Sequence, residues 1–349
     1  MNKLLIITTV VSLAFLTACS DEESHKQSST AGQLPITLST NVGYETRSNT
    51  ATNLISGDTV WVWTDMINGA TQAVGEYFKA WALKANGVGG LATLQAGNTK
   101  LFPATNVLNF YALVGNFGKV TEGVRIGEPM IEAEKDPLPT TGIRHTVLSD
   151  QTTPEAYYKS DLLYAVVKNQ EPVSAAVVLP FKHLLSRVQV VLVAGNGVTT
   201  SDLSSATVTL LNLRRQIAFN PGKDADFSSQ SDLASMLTWS NLFSSGDILM
   251  STNTVSSTTE ATPENSTVYA DAIVVPQTIA KGTNFIKVEY LDRTTYYRIP
   301  NGTNDEDFDL ESGKQYRFRL IADRIGSSYE MTITVADWDV QTGAAMWAE

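Results

Sequence analysis

The chain of 349 residues contains one cysteine and three histidines. A single thiol excludes an intramolecular disulfide framework. With His25, His145 and His183 as the only imidazoles, a histidine- or thiolate-based metal site is disfavoured, and no set of serine, histidine and acid stands out. Basic residues are also scarce: 25 Lys and Arg stand against 36 Asp and Glu, a formal charge of −11. That balance argues against nucleic acid, which demands a basic face, and against adsorption to an anionic membrane. Gly87-Val88-Gly89-Gly90 lacks both the lysine and the helix of a phosphate loop. No pair of carboxylates stands out for glycoside hydrolysis. The chain reads as a protein without catalytic residues, cofactor or metal.

What is present begins at the N-terminus. Lys3 precedes an almost unbroken apolar run over residues 4–18, shorter than the roughly 20 residues of a permanent membrane span. The run ends in Leu16-Thr17-Ala18-Cys19. Residues 1–18 therefore read as a signal peptide, and the sole cysteine resembles that of a lipobox, where the thiol receives a diacylglycerol. Several acyl chains anchor stably where one alone is marginal. A polar tether, 19–33, follows and is disordered by composition. Its Asp21-Glu22-Glu23 triplet reads either as a surface-export tag or as a soluble linker.

From Ile36 onward the pattern is that of strands. Ile286, Val288 and Tyr290 alternate with Lys287 and Glu289; Tyr316, Phe318 and Leu320 alternate with Arg317 and Arg319. Met331, Ile333 and Val335 alternate with Thr332 and Thr334. A period of two with polar residues opposite apolar ones predicts half-buried strands. Turn residues separate such segments, among them Asn196-Gly197, Asn220-Pro221-Gly222 and Ser312-Gly313. Helical periodicity is confined to a short stretch at 231–237. The expected fold is all-β: two tandem sandwiches, 34–172 and 173–349, joined at the polar segment 169–172.

Three groups invite a functional reading. Trp61 and Trp63 share a strand face, but flanking Val60 and Val62 make that strand buried on both sides and the indoles core. Asp305, Asp307, Asp309 and Glu311 have the spacing of a calcium loop, yet Leu310 stands where an EF-hand needs glycine, so a solvated acidic turn is the better reading. His183, in FKHLL, reads as a hydrogen-bonded structural histidine.

Five blocks, SDLLYAVV (160–167), LPFKHLLSRVQVVL (179–192), VVPQTIAKGTNFIKV (274–288), LESGKQYRFRL (310–320) and ITVADWDV (333–340), resemble in order the fimbrillin-like pilins of Bacteroidales. The resemblance implies transthyretin-like sandwiches and export as a lipoprotein precursor. It also implies a trypsin-like protease that cuts after an arginine behind the first strand. Removal of that strand opens a groove, which a C-terminal segment of a neighbouring subunit fills by strand addition.

On this chain the implied residues are specific. Arg47 is the only basic residue between Lys26 and Lys79 and lies in a Ser/Thr/Asn-rich stretch behind the first predicted strand, 36–40. A cut between Arg47 and Ser48 would release lipid, tether and that strand together. The tail 340–349, with Val340, Met346 and Trp347, is either a frayed terminus or the donor; its large hydrophobes favour the donor. Expected partners are other fimbrial subunits, a trypsin-like maturation protease and a surface ligand of unspecified kind. The outer membrane comes first and the extracellular fimbrium follows. A second class is a surface glycan-binding lipoprotein, with Trp61, Trp63, Trp81 or Trp239 as exposed platforms.

Overall fold

Among the residues it describes, the computed structural model contains twenty-three strands against three helices of four to six residues. It describes residues 34–44, 59–69, 71, 74–86, 90–119, 143–220, 230–238, 244–255, 267–299, 306–323 and 331–338. Strands are numbered in chain order. Among these residues the fold is all-β, as its alternation predicts.

The N-terminal sheet contains β1 (Leu38–Tyr44), β2 (Thr59–Ile67), β3 (Val74–Asn86), β4 (Gly90–Ala96) and β5 (Val107–Gly115). It is completed by β8 (Leu162–Gln170), β9 (Val177–Leu179) and β10 (Lys182–His183). Its hydrogen-bonded order is β10-β8-β5-β2-β3-β4-β1-β9. Only Pro180 and Phe181 separate β9 from β10, yet the two strands form opposite edges. The sheet is thus folded over until its edges approach at that corner, without a ladder closing it. Its central strands are buried on both faces. Val60, Val62, Phe110, Ala112 and Leu163 line a smaller core enclosed by the curl. Trp63, Tyr111, Leu113, Leu162 and Tyr164 face the larger core of the molecule.

That larger core fills a second sandwich. One layer is β16-β17-β11-β22-β23, with β11 (Ser186–Ala194), β16 (Ser251–Val255), β17 (Thr267–Val274), β22 (Lys314–Ala322) and β23 (Met331–Asp337). The other is β15-β12-β19-β20, with β12 (Thr207–Arg214), β15 (Ser245–Leu249), β19 (Asn284–Tyr290) and β20 (Arg293–Arg298). The predicted rows hold: Ile286, Val288 and Tyr290 are buried in this core, as are Tyr316, Phe318 and Leu320. A register shift between Asn284 and Ile286 also turns Phe285 inward, so two consecutive residues are buried.

A small sheet ties the two halves. Its order is β14-β13-β7-β6, with β6 (Phe117–Lys119), β7 (Ile143–Thr146), β13 (Gln216–Phe219) and β14 (Leu237–Thr238). Phe219 meets Tyr164 edge-on at 4.9 Å between ring centroids. Strand pairing crosses the 169–172 segment in both directions: β9 and β10 lie in the N-terminal sheet, and β7 pairs with β13. Gln151, fully buried, acts as a further strap. Its side-chain Nε2 donates to Ile273 O at 2.8 Å and its Oε1 accepts from Ile273 N at 2.9 Å.

Beyond the helix expected at 231–237, which is α3 (Gln230–Ser235), there are α1 (Pro154–Lys159) and α2 (Thr200–Leu203). Each is too short to show a period. They are fixed instead by threonine caps, Thr153 on Ala156 N, and Thr199 with Asp202 as a capping box.

Candidate assembly interface

The stretch Leu34-Pro35-Ile36-Thr37-Leu38-Ser39-Thr40 alternates apolar and polar residues, and the fold uses both edges of it. Ile36 N donates to Lys100 O and Phe102 N to Leu34 O, both at 2.8 Å. Leu38 then pairs with Leu94 and Ser39 with Thr93 of β4, antiparallel, before a bulge that ends at Gly43 opposite Leu91. On the other edge Leu38, Ser39 and Thr40 run parallel to Val177, Val178 and Leu179 of β9, and Val177 N donates to Thr37 O at 2.9 Å. The inward row is closed off from water: Ile36 is 4%, Leu38 2% and Thr40 0% exposed. The first strand runs further than the expected 36–40, from Leu38 to Tyr44, with Pro35 held beforehand in a bridge to Leu101. β1 is an interior strand, yet only β9 lies beyond it, so the sheet has a seam there.

Arg47 and Ser48 follow Tyr44 closely in sequence and lie outside the described residues, as do Cys19, Val340, Met346 and Trp347. The described chain ends at Trp338, the root of the tail. β23 is an edge strand: Met331 and Ile333 pack on the core, but Val335 is 50% exposed. Trp338 turns back into its own subunit at 4% exposure, with its backbone N–H donating to Gly313 O at 2.7 Å.

Trp338 stacks on His183, with centroids 3.9 Å apart and planes 7° from parallel. His183 Nδ1 meets Asp161 Oδ2 at 2.8 Å, and both residues are buried, which fits the structural role expected of this histidine. Asp161 Oδ1 accepts from its neighbour Leu162 N. Nothing local in the sequence pairs His183 with Trp338; only the topology brings them together.

The adjacent His145 donates from Nε2 to Ser160 O at 2.8 Å, because a carbonyl can only accept. Gly115, at φ +155°, lets β5 end against it: a Cβ there would lie 3.0 Å from His145 Nδ1 and 2.9 Å from Asp161 O. Burial pushes the His145 pKa down to about 4, against the opposing pull of the Ser160 carbonyl and of Asp161. The unfolded imidazole, near 6.5, binds the proton more readily. Stability tied to neutral His145 is therefore complete above about pH 6.5 and is lost as pH falls towards 4, by about 3 kcal/mol. Denaturant titrations at pH 7.5 and 4.5 should show this loss in the wild type and a clearly smaller one in His145→Gln. Equal losses would place the acid sensitivity elsewhere.

The remaining candidates that lie among the described residues have structural roles. Trp63 is 2% and Trp81 4% exposed, and Trp61 packs partly buried on the core, so none of these three offers a free platform. Trp239 lies outside the described residues. Asp307 Oδ1 accepts from Lys281 N and Asp309 Oδ1 from Thr278 Oγ1. Asp305 is outside the described residues, among which no group of three or more metal-ligating side chains occurs.

No curated protein matches this chain significantly. Among solved structures, a candidate cell adhesion protein from Bacteroides uniformis is 16% identical, with a TM-score of 0.56 over 88% of this chain and 98% of that one. Another, from Bacteroides ovatus, is 16% identical with a TM-score of 0.55, over 89% and 99%. At such identities these likenesses establish the fold alone. The family model described as fimbrillin-like matches residues 46–338, most of the sequence. With its all-β architecture and the five ordered blocks, this chain belongs to the fimbrillin-like family.

Proposed function

We propose that this protein is a fimbrial subunit, exported as a lipoprotein precursor and assembled on the cell surface by strand exchange. Cys19 carries the lipid that holds the precursor at the outer membrane. A trypsin-like protease cuts between Arg47 and Ser48, and the prosegment leaves with β1. The tail 340–349 of a neighbouring copy or a related subunit then enters the vacated seam between β4 and β9. The resulting fimbrium serves adhesion.

The observation that carries this reading is the position of β1. It is paired on both edges, and its Leu38, with Ile36 just before it, lies in the smaller core. Burying those two side chains is worth about 1.5–3 kcal/mol each. Its departure therefore leaves an apolar slot lined by unpaired backbone, which favours rapid refilling. A replacement strand that copies β1 runs antiparallel to β4 and parallel to β9. Extended, residues 340–349 can cover the length of the seven-residue β1.

A synthetic peptide of residues 34–44 tests the exchange. In excess it should occupy the seam of trimmed subunits and stop fibre growth, whereas a scrambled peptide should not. Undiminished growth in the presence of the peptide would rule out exchange at this seam. Separately, labelled palmitate should enter the wild-type protein and not Cys19→Ala, whose precursor should accumulate unprocessed. Equal labelling of the two proteins would leave residues 1–18 as an ordinary signal peptide.

A further inference from the structure

We propose that the stack of His183 on Trp338 is a latch that keeps the root of the C-terminal tail docked while β1 fills its seam. The proposal rests on the strand-exchange reading and adds the element that links the two ends of the exchange. A subunit built this way does not offer its donor tail until its own slot has opened.

The connection runs through a few residues. Among the described residues β9 pairs with β1 alone, and Val177 N donates to Thr37 O. Only the corner Pro180-Phe181 separates β9 from β10. Proline fixes the backbone angle there, Phe181 is buried in the same small core as Leu38, and Phe181 N donates to Leu179 O. β9 and His183 therefore form one short stiff piece. His183 is oriented by Asp161, and its ring lies flat on Trp338.

Trp338 is the weak end of this chain of contacts. Its backbone is tied to Gly313 O, but its buried indole N–H has no hydrogen-bond partner among the described residues. A buried donor without a partner has solvation to regain on release. The ring is thus held in place by stacking and packing. When β1 leaves, β9 loses its ladder. The two-residue pairing of β10 with β8, Lys182 opposite Tyr164 and His183 opposite Leu163, is then the only ladder left to the segment, and the freed β9 pulls on it through the Pro180-Phe181 corner. The His183 ring shifts against the indole, the stack opens, and Trp338 comes free.

Hydrogen exchange on the monomeric full chain tests the latch. Leu38→Glu places a carboxylate at a position 2% exposed and unseats β1 without any proteolytic cut. Protection of the Trp338 amide should then fall at least tenfold. In wild-type chain cut at Arg47 and stripped of its prosegment, the same loss should appear, and the 34–44 peptide should reverse it; this arm needs no substitution. His183→Ala in the uncut chain should expose the Trp338 amide while β1 amides keep their protection. Unchanged Trp338 protection with the seam empty would overturn the latch. Because every readout is taken on monomers, failed polymerisation does not bear on it, and failure of the latch leaves strand exchange standing.

Discussion

A chain lacking residues 340–349 is expected to remain a folded monomer and to form no fibres. The deletion begins beyond β23 and beyond Trp338, the last described residue of the core, so both sandwiches keep their strands and their buried side chains. What is lost is the only stretch after Trp338 that carries large hydrophobes, Val340, Met346 and Trp347. If that stretch supplies the affinity between subunits, polymer yield should fall by orders of magnitude while the monomer's unfolding midpoint stays within the small range of surface changes, about ±0.5 kcal/mol. Size-exclusion chromatography and electron microscopy of trimmed protein read the first quantity, and denaturant titration the second. Fibres of normal length would show that the donor lies elsewhere. Unfolding would show that the tail belongs to its own subunit's core.

The second large effect is expected from Arg47→Ala. Trypsin-like proteases need a cationic side chain and a backbone that can be drawn out as an extended strand. Across residues 27–78 only Arg47 supplies the charge. Other arginines, such as Arg187 in β11, paired on both sides, and Arg317 and Arg319 in β22, sit in ladders. Arg187 is moreover bound to Asp271 at 2.8 Å and 3.1 Å. Burial works to lower its pKa, but Asp271 and Tyr157 outweigh it and hold the guanidinium charged. Paired, buried arginines resist cleavage because the chain must open first. Limited trypsin digestion should therefore give a stable fragment beginning at Ser48. Arg47→Ala should stay folded and lipid-anchored, with β1 in its seam, and should form no fibres. Normal assembly of that variant would reduce Arg47 to a surface turn.

Much of this architecture was legible because the strands of the second sandwich expose one face. Lys287 and Glu289 opposite Ile286, Val288 and Tyr290 announce β19 to anyone counting by two. Other strands hide. β4, GLATLQA, and β16, STNTV, carry few bulky residues and owe their conformation to neighbours, β1 and β17 respectively. Phe285 is buried through a bulge that breaks the period. The candidate interface divides in the same way. Cys19, Arg47 and the apolar tail were visible as the sole residues of their kind in their surroundings. The seam was not, because it joins β1 to β4 on one edge and, in parallel, to the sequence-distant β9 on the other. The meeting of His183 with Trp338 was equally hidden, since the two lie far apart in the chain.

The account stands on β1 leaving the subunit before assembly, and the N-terminal residue of subunits in isolated fibres tests this most directly. Sequencing from the N-terminus, or mass spectrometry of the terminal peptide, should find Ser48, with residues 34–44 absent from the fibre. Subunits that begin at acylated Cys19 and retain β1 would contradict it.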